Sequence, residues 1–154
     1  MNNDKKSTNT TKHSHFTALE NMYLAAPINA FYQPKIDVSE GESTIEIDIR
    51  ENQFHSAGAV HGSVYFKMLD DAAFFAANSF EKEVFVLTTS FTTYITRPVS
   101  SGIIKAIGKV VNMNRSQWIV EAVAYQADGK EIARGNGIFV RSKMPLVDAL
   151  GFSA

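Results

Sequence analysis

Between Phe54 and Asn78 the chain reads as a helix with almost no polar side. A His61-Gly62 pair opens it, and the run that follows is apolar on nearly every face except at two adjacent acids, Asp70 and Asp71. Such a helix has to be wrapped by other structure, because in water it would leave apolar surface exposed. The fold must therefore surround one helix. The same run points to chemistry, since ionised carboxylates within it cost energy unless the protein pairs or uses them.

The rest of the chain supplies the wrapping. Thr44 to Arg50 alternates without a fault, with Ile45, Ile47 and Ile49 on one face and Thr44, Glu46, Asp48 and Arg50 on the other. Ser39 to Glu42 is turn chemistry, so Phe31–Val38 and this strand make a hairpin. After the helix, Val84 to Thr96 is rich in Val, Thr, Phe and Tyr and ends at Pro98. Turns at Ser101-Gly102, Asn114–Ser116 and Asp128-Gly129 then separate strands over Ile103–Asn112, Trp118–Gln126 and Glu131–Arg141. Strands joined by short turns make an antiparallel sheet. One curled α+β sheet around the apolar helix satisfies both signals. A further helix is expected from His15 to Ala26, stopped by Pro27, on the outside of that sheet.

At 154 residues the chain has the size of one domain with a full core. Residues 1–13 have nothing to bury and predict a disordered tail, 14–144 the domain, and 145–154 a C-terminal tail. A formal net charge of -1 gives no reason to expect nucleic acid or an anionic membrane as partner. There is no cysteine, which removes disulfides, thiolate metal sites and a cysteine nucleophile together. Without a signal-like or membrane-length apolar run, the expected location is the cytoplasm. The His13-Ser-His15 pair lacks a third ligand and reads as solvated, so no metal is expected. No G-x-S-x-G elbow or P-loop is present, which argues against a serine triad and a nucleotide hydrolase.

Gly58-Ala-Val-His61-Gly62-Ser63, followed after six residues by Asp70, resembles the G-x-x-H-G-G…D signature of hotdog-fold thioesterases of the phenylacetic-acid-pathway (PaaI-like) family. The Thr88–Pro98, Gly102–Val111 and Asp128–Phe139 segments resemble that family's later strands and closing hairpin in the same order. The resemblance spans roughly residues 30 to 141. It implies the hotdog fold, hydrolysis of acyl-CoA by a homodimer or a tetramer built as a dimer of dimers, and no cofactor. It implies Asp70 as the acid that activates water or attacks, the Gly62 N–H as the group polarising the thioester carbonyl, and Thr88 as a hydroxyl assisting water. At the position where the family often has Asn this chain has His55, and Ser63 replaces the second Gly and narrows the helix entry. The other readings are a dehydratase, whose His-and-acid pattern is not found, and a non-catalytic acyl-CoA-binding sensor or carrier.

Between the two acids, Asp71 has Lys67 at i−4 and Asn78 at i+7, so a paired polar line explains it. Asp70 is surrounded by Phe66, Ala73, Phe74 and Ala77, and a desolvated carboxylate is the better base near neutrality. Gly62 lies where unpaired N–H groups and the helix dipole attract an oxyanion. His61 and Ser63 are expected beside the substrate, with His61 more structural than catalytic. Phe66, Phe74 and Phe80 are candidates for the acyl pocket, which equally suits aromatic and aliphatic groups. Arg115 is a candidate for the CoA phosphates, along with Arg134, Arg141 and Lys143, although charges on hairpins are usually solvated. One helix cannot present Gly62 and Asp70 to the same carbonyl, because eight residues at 1.5 Å rise separate them by about 12 Å. Each site is therefore expected to be shared between two chains.

Overall fold

The structure, a computed structural model, describes residues 4–154, with side chains from Ser14 onward. Of the N-terminal tail expected to be disordered, residues 1–3 lie outside the described residues, while the backbone of 4–13 is helical, so the helix expected from His15 starts earlier. The His13 side chain lies outside the described side chains. Helix α1 (Asp4–Ala25) is followed by a short α2 (Asn29–Tyr32), the hairpin β1 (Lys35–Ser39) and β2 (Glu42–Asp48), and the central helix α3 (Gly62–Asn78). Four strands complete the chain: β3 (Val84–Ile95), β4 (Ile103–Met113), β5 (Gln117–Gln126) and β6 (Glu131–Pro145). They form one six-stranded antiparallel sheet in the order β1-β2-β4-β5-β6-β3. This is the hotdog arrangement, a curled sheet around one apolar helix.

The alternation in β2 decides which face meets that helix. Ile45 and Ile47 are buried and join Ile104, Val120 and Phe139 from other strands in one core with Val64, Met68, Leu69 and Ala72 of α3. Small residues let the helix sit close: a Cβ on Gly108 would come within 2.3 Å of the Ala72 carbonyl oxygen. Ser43 Oγ donates to that carbonyl at 2.7 Å, so β2 and β4 fix the height of the helix over the sheet.

Four further expectations are corrected. The chain from β3 to β4 is not a hairpin, because β4 pairs with β2 and β5 while β3 crosses to pair with β6. Phe31 and Tyr32 belong to α2 and not to an extended segment. His15 is not solvated: it is buried in α1, with Nε2 3.0 Å from the Asn78 carbonyl, and burial lowers its pKa. The segment after Pro145 is docked on α1, where Asn21 Nδ2 donates to the Ser153 carbonyl at 2.6 Å and Phe152 meets the His15 ring edge-on. Leu19, Met22 and Tyr23 of α1 are buried and part of the core.

The two sheet edges differ. Edge strand β1 is five residues long, and its Val38 N–H donates to the Glu20 carboxylate of α1. Edge strand β3 is twelve residues long and shows Leu87, Tyr94 and Ile95 about half exposed. Long unpaired apolar edges are templates for strand addition.

Candidate active site

Helix α3 and strand β3 run antiparallel, side by side, and this places the site. Ile95 Cδ1 packs at Gly62, the Phe91 ring stands edge-on to Phe66 at 5.8 Å, Thr88 bonds Asp70, and Phe85 meets Phe74 at 4.8 Å. Glycines make room for this: Cβ atoms on Gly135 and Gly137 would come within 2.6 Å and 2.4 Å of the Phe91 ring. Gly62 thus lies at one end of this helix–strand pair and Asp70 about two turns along it.

Thr88 Oγ1 donates to Asp70 Oδ1 at 3.0 Å, while Oδ2 has no partner among the described residues. Asp70 opens on a cavity of about 330 Å³ whose walls include Met22, Tyr23, Phe74, Phe75, Phe85 and Leu87. Burial against these groups raises the Asp70 pKa to about 6; the Thr88 bond opposes the rise, the Asp71 charge adds to it, and Lys67 opposes it. A carboxylate of that pKa has the affinity to take a proton from water and remains ionised at neutrality.

Asp71 is committed elsewhere. Its Oδ2 lies 2.5 Å from Lys67 Nζ and accepts from the Tyr23 hydroxyl at 2.9 Å. Lys67 is enclosed further by the Tyr23 and Tyr32 rings at 5.1 Å and 4.9 Å. Asn78 is not in this line; it bonds the Glu81 carbonyl and the Val86 N–H at the far end of α3.

At the Gly62 end, His61 is the N-cap in an extended conformation. Its Nδ1 accepts the Ser63 N–H at 3.1 Å and lies 2.8 Å from Ser63 Oγ, which leaves the ring proton on Nε2. Ser63 therefore holds the imidazole that caps the helix. The Gly62 N–H has no hydrogen-bond partner among the described residues, and Gly62 lines a second cavity, about 360 Å³, with His55, Val60, Tyr65, Ile95, Thr96, Arg97 and Pro98. His55 is exposed there, its Nδ1 accepting the Ala57 N–H at 3.1 Å.

The structure thus brings Asp70, Thr88 and Phe74 to one cavity and Gly62, His55, His61 and Ser63 to the neighbourhood of another. Phe66 stands between them, 44% exposed, and lines neither. Phe80 packs at Gly41, away from both. Arg115 lies in the β4–β5 turn and also lines neither. The sequence reading missed the cavity walls given by α1, α2 and the turn between them, namely Met22, Tyr23, Ala26, Ile28 and Asn29. Its only signal was the helical spacing of Met22 and Tyr23, which core packing explains as well. Lys67 as the partner of Asp71 was legible from the i−4 spacing.

Comparison with known proteins gives the family and the fold. The thioesterase superfamily model matches residues 57–133, which carry α3 and most of the sheet. The TV1331 protein of Thermoplasma volcanium is 24% identical over 102 residues, 66% of this chain and 77% of that protein. Among solved structures, a thioesterase family protein from Silicibacter pomeroyi superposes with a TM-score of 0.73 at 25% identity, over 80% of this chain and 95% of that one. The PaaI protein from the E. coli phenylacetic acid degradation operon gives a TM-score of 0.73 at 18% identity, over 86% and 99%. The matched residues include the His61-Gly62 helix start and Asp70, and on that match this chain belongs to the thioesterase superfamily and is a thioester hydrolase.

Proposed function

We propose that the protein hydrolyses acyl-CoA thioesters in the cytoplasm, at two equivalent sites formed between the chains of a symmetric dimer. The observation that carries this reading is Asp70: a carboxylate with one oxygen fixed by Thr88, the other free, and a pKa raised to about 6 at the mouth of an apolar cavity. The acyl group enters that cavity. Asp70 takes a proton from water as the water oxygen bonds to the thioester carbon. The carbonyl electrons move to oxygen, where the Gly62 N–H of the other chain receives the charge. The C–S bond then breaks, the thiolate takes the proton back from Asp70, and the acid leaves. In the alternative, Asp70 itself attacks the thioester carbon, the C–S bond breaks to release the thiolate, and water opens the mixed anhydride at the Asp70 carbonyl carbon. Label from labelled water that enters the Asp70 carboxylate in a single turnover identifies this route.

The need for two chains follows from the separation of about 12 Å between Gly62 and Asp70 along α3. A two-fold axis that pairs β3 with its copy brings Gly62 of one chain to Asp70 of the other, because Ile95 marks the first and Thr88 the second on that strand. Ile95 would then lie opposite the partner's Thr88, with Phe91 and Thr92 nearest the axis. Pairing also covers the long apolar edge. In the membrane context, no helix among the described residues is long and apolar enough to cross one.

The test is a hydrolysis screen over CoA thioesters of graded chain length and aromaticity, without added metal, on wild type and Asp70→Ala. Release of CoA that falls about 10²-fold or more in the folded variant is expected. Tight binding of the thioester without hydrolysis would overturn the catalytic reading in favour of a binding protein.

A further inference from the structure

The two cavities divide the charged groups between them. The Asp70 cavity holds both helix acids and Lys67, which is bound to Asp71. The Gly62 cavity contains no Asp or Glu, and it gathers donors that have no partner among the described residues: the Gly62 N–H, the His55 Nε2 side and the Arg97 guanidinium. Among the twelve Lys and Arg whose side chains are described, seven are already engaged. Lys67, Lys105, Lys109, Lys130, Arg134 and Arg141 each pair with a carboxylate, and Arg50 donates to the Phe31 carbonyl. Lys35, Lys82, Arg115 and Lys143 have no described carboxylate partner either, but they line neither cavity.

Arg97 is also held in place. Its N–H and that of Thr96 donate to the Ile132 carbonyl at 3.1 Å and 2.9 Å, the Tyr65 hydroxyl donates to the Arg97 carbonyl at 2.9 Å, and Pro98 follows. The backbone is pinned while the side chain stays exposed. Arg97 comes two residues after Ile95, at most about 7 Å along the chain from the contact with Gly62. Along the strand, the Arg97 backbone lies past the Gly62 contact on the side away from the Thr88 that bonds Asp70. A cavity without a carboxylate, beside an unpaired Arg on a pinned backbone, suits an anionic ligand rich in oxygen acceptors.

We propose that the Gly62 cavity receives the phosphate-bearing arm of coenzyme A and that Arg97 is the cation that holds it, from the chain opposite to the one that supplies Asp70. This rests on the thioesterase reading above and adds the CoA subsite to it. The acyl group lies in one chain and its carrier against the other. Arg97 holds the phosphate and not the reacting carbonyl, so it contributes to substrate capture and not to the chemical step.

The experiment compares one acyl group carried on CoA, on 4′-phosphopantetheine and on N-acetylcysteamine, with wild type, Arg97→Ala and Arg97→Lys. For Arg97→Ala on the CoA thioester, KM should rise about tenfold or more while kcat stays within about twofold, as loss of a charge-assisted bond predicts. Arg97→Lys should recover part of that loss, and the N-acetylcysteamine thioester, which has no phosphate, should not distinguish the three proteins. An effect retained on phosphopantetheine assigns Arg97 to the phosphate at the end of that arm; an effect seen only with CoA assigns it to the nucleotide phosphates. An unchanged KM for CoA, or an equal rise for the phosphate-free thioester, would overturn the inference. If wild type cleaves none of the three, the thioesterase reading fails. Calorimetric titration with CoA then decides the subsite alone, since binding about tenfold weaker in Arg97→Ala upholds it and equal binding refutes it.

Discussion

Thr88 Oγ1 donates to Asp70 Oδ1 at 3.0 Å, so a hydroxyl on the edge strand fixes the carboxylate on the central helix that faces an apolar cavity. The bond favours the ionised form and works against the burial that raises the pKa to about 6. In hydrolysis, kcat/KM should rise about tenfold per pH unit below about pH 6 and level off above it. Activity independent of pH between 4 and 7 would exclude Asp70 as the base.

Two substitutions should move that limb in opposite directions. Thr88→Val removes a bond to the carboxylate and should shift it to higher pH, with a kcat loss of about tenfold from poorer orientation. Asp71→Asn removes a like charge and frees Lys67 to approach Asp70, both of which favour the ionised form. The limb should move to lower pH. Above the limb, the rate loss should be far smaller than the 10²- to 10⁴-fold expected for Asp70→Ala. Shifts of the same sign in both variants would contradict this assignment of the two acids.

Removing the charge of Asp70 should stabilise the fold. Its pKa is raised in the native state, so the native state binds more protons, and wild type loses stability as pH climbs from about 4 through about 6. Asp70→Asn has no such loss. Its advantage should be absent below about pH 4 and reach about 1 kcal/mol above pH 7, a rise in Tm of about 2–4 °C for a chain of this size, since solvent screens a partly exposed group. Thermal melts at pH 4 and pH 8 check the sign. A variant less stable than wild type at pH 8 would mean that the charge is paired and not desolvated.

The fold was legible because two periods in the sequence differ so plainly. The apolar helix at Gly62–Asn78 and the alternation at Ile45, Ile47 and Ile49 allow one arrangement, a sheet with a helix on one face. What the pattern could not give was which strands pair. The Ser101-Gly102 turn looks like a hairpin, and only tertiary contacts send β3 across to β6, where Gly135 and Gly137 accept the Phe91 ring. Asp70, Thr88 and Gly62 stood out through a motif and an apolar setting. Arg97 was legible only as part of the Arg-Pro that ends the strand; that it is unpaired was not, because pairing depends on neighbours distant in sequence. Burial of His15 was equally hidden, since its partner is the backbone carbonyl of Asn78, 63 residues away.

Gly62 permits a clean test of the shared site. It is the first residue of α3, it follows an extended His61, and its N–H has no partner among the described residues. Proline suits that position: it needs an extended residue before it, and its fixed φ fits the first helical turn. The new ring meets the end of the Ile95 side chain, which can turn aside. Gly62→Pro therefore deletes the N–H while keeping the helix, and kcat should fall about 10²- to 10³-fold. Gly62→Ala retains the N–H, meets the same Ile95 contact and should lose much less. If Asp70 of one chain works with Gly62 of the other, a hybrid of Asp70→Asn and Gly62→Pro chains contains one doubly defective site and one intact site. Unfolding and refolding an equal mixture gives hybrids as about half of all dimers, so activity should return to about a quarter of wild type. Subunits that exchange, as followed by mass spectrometry of the intact dimer, without any recovered activity would place both groups of each site in one chain.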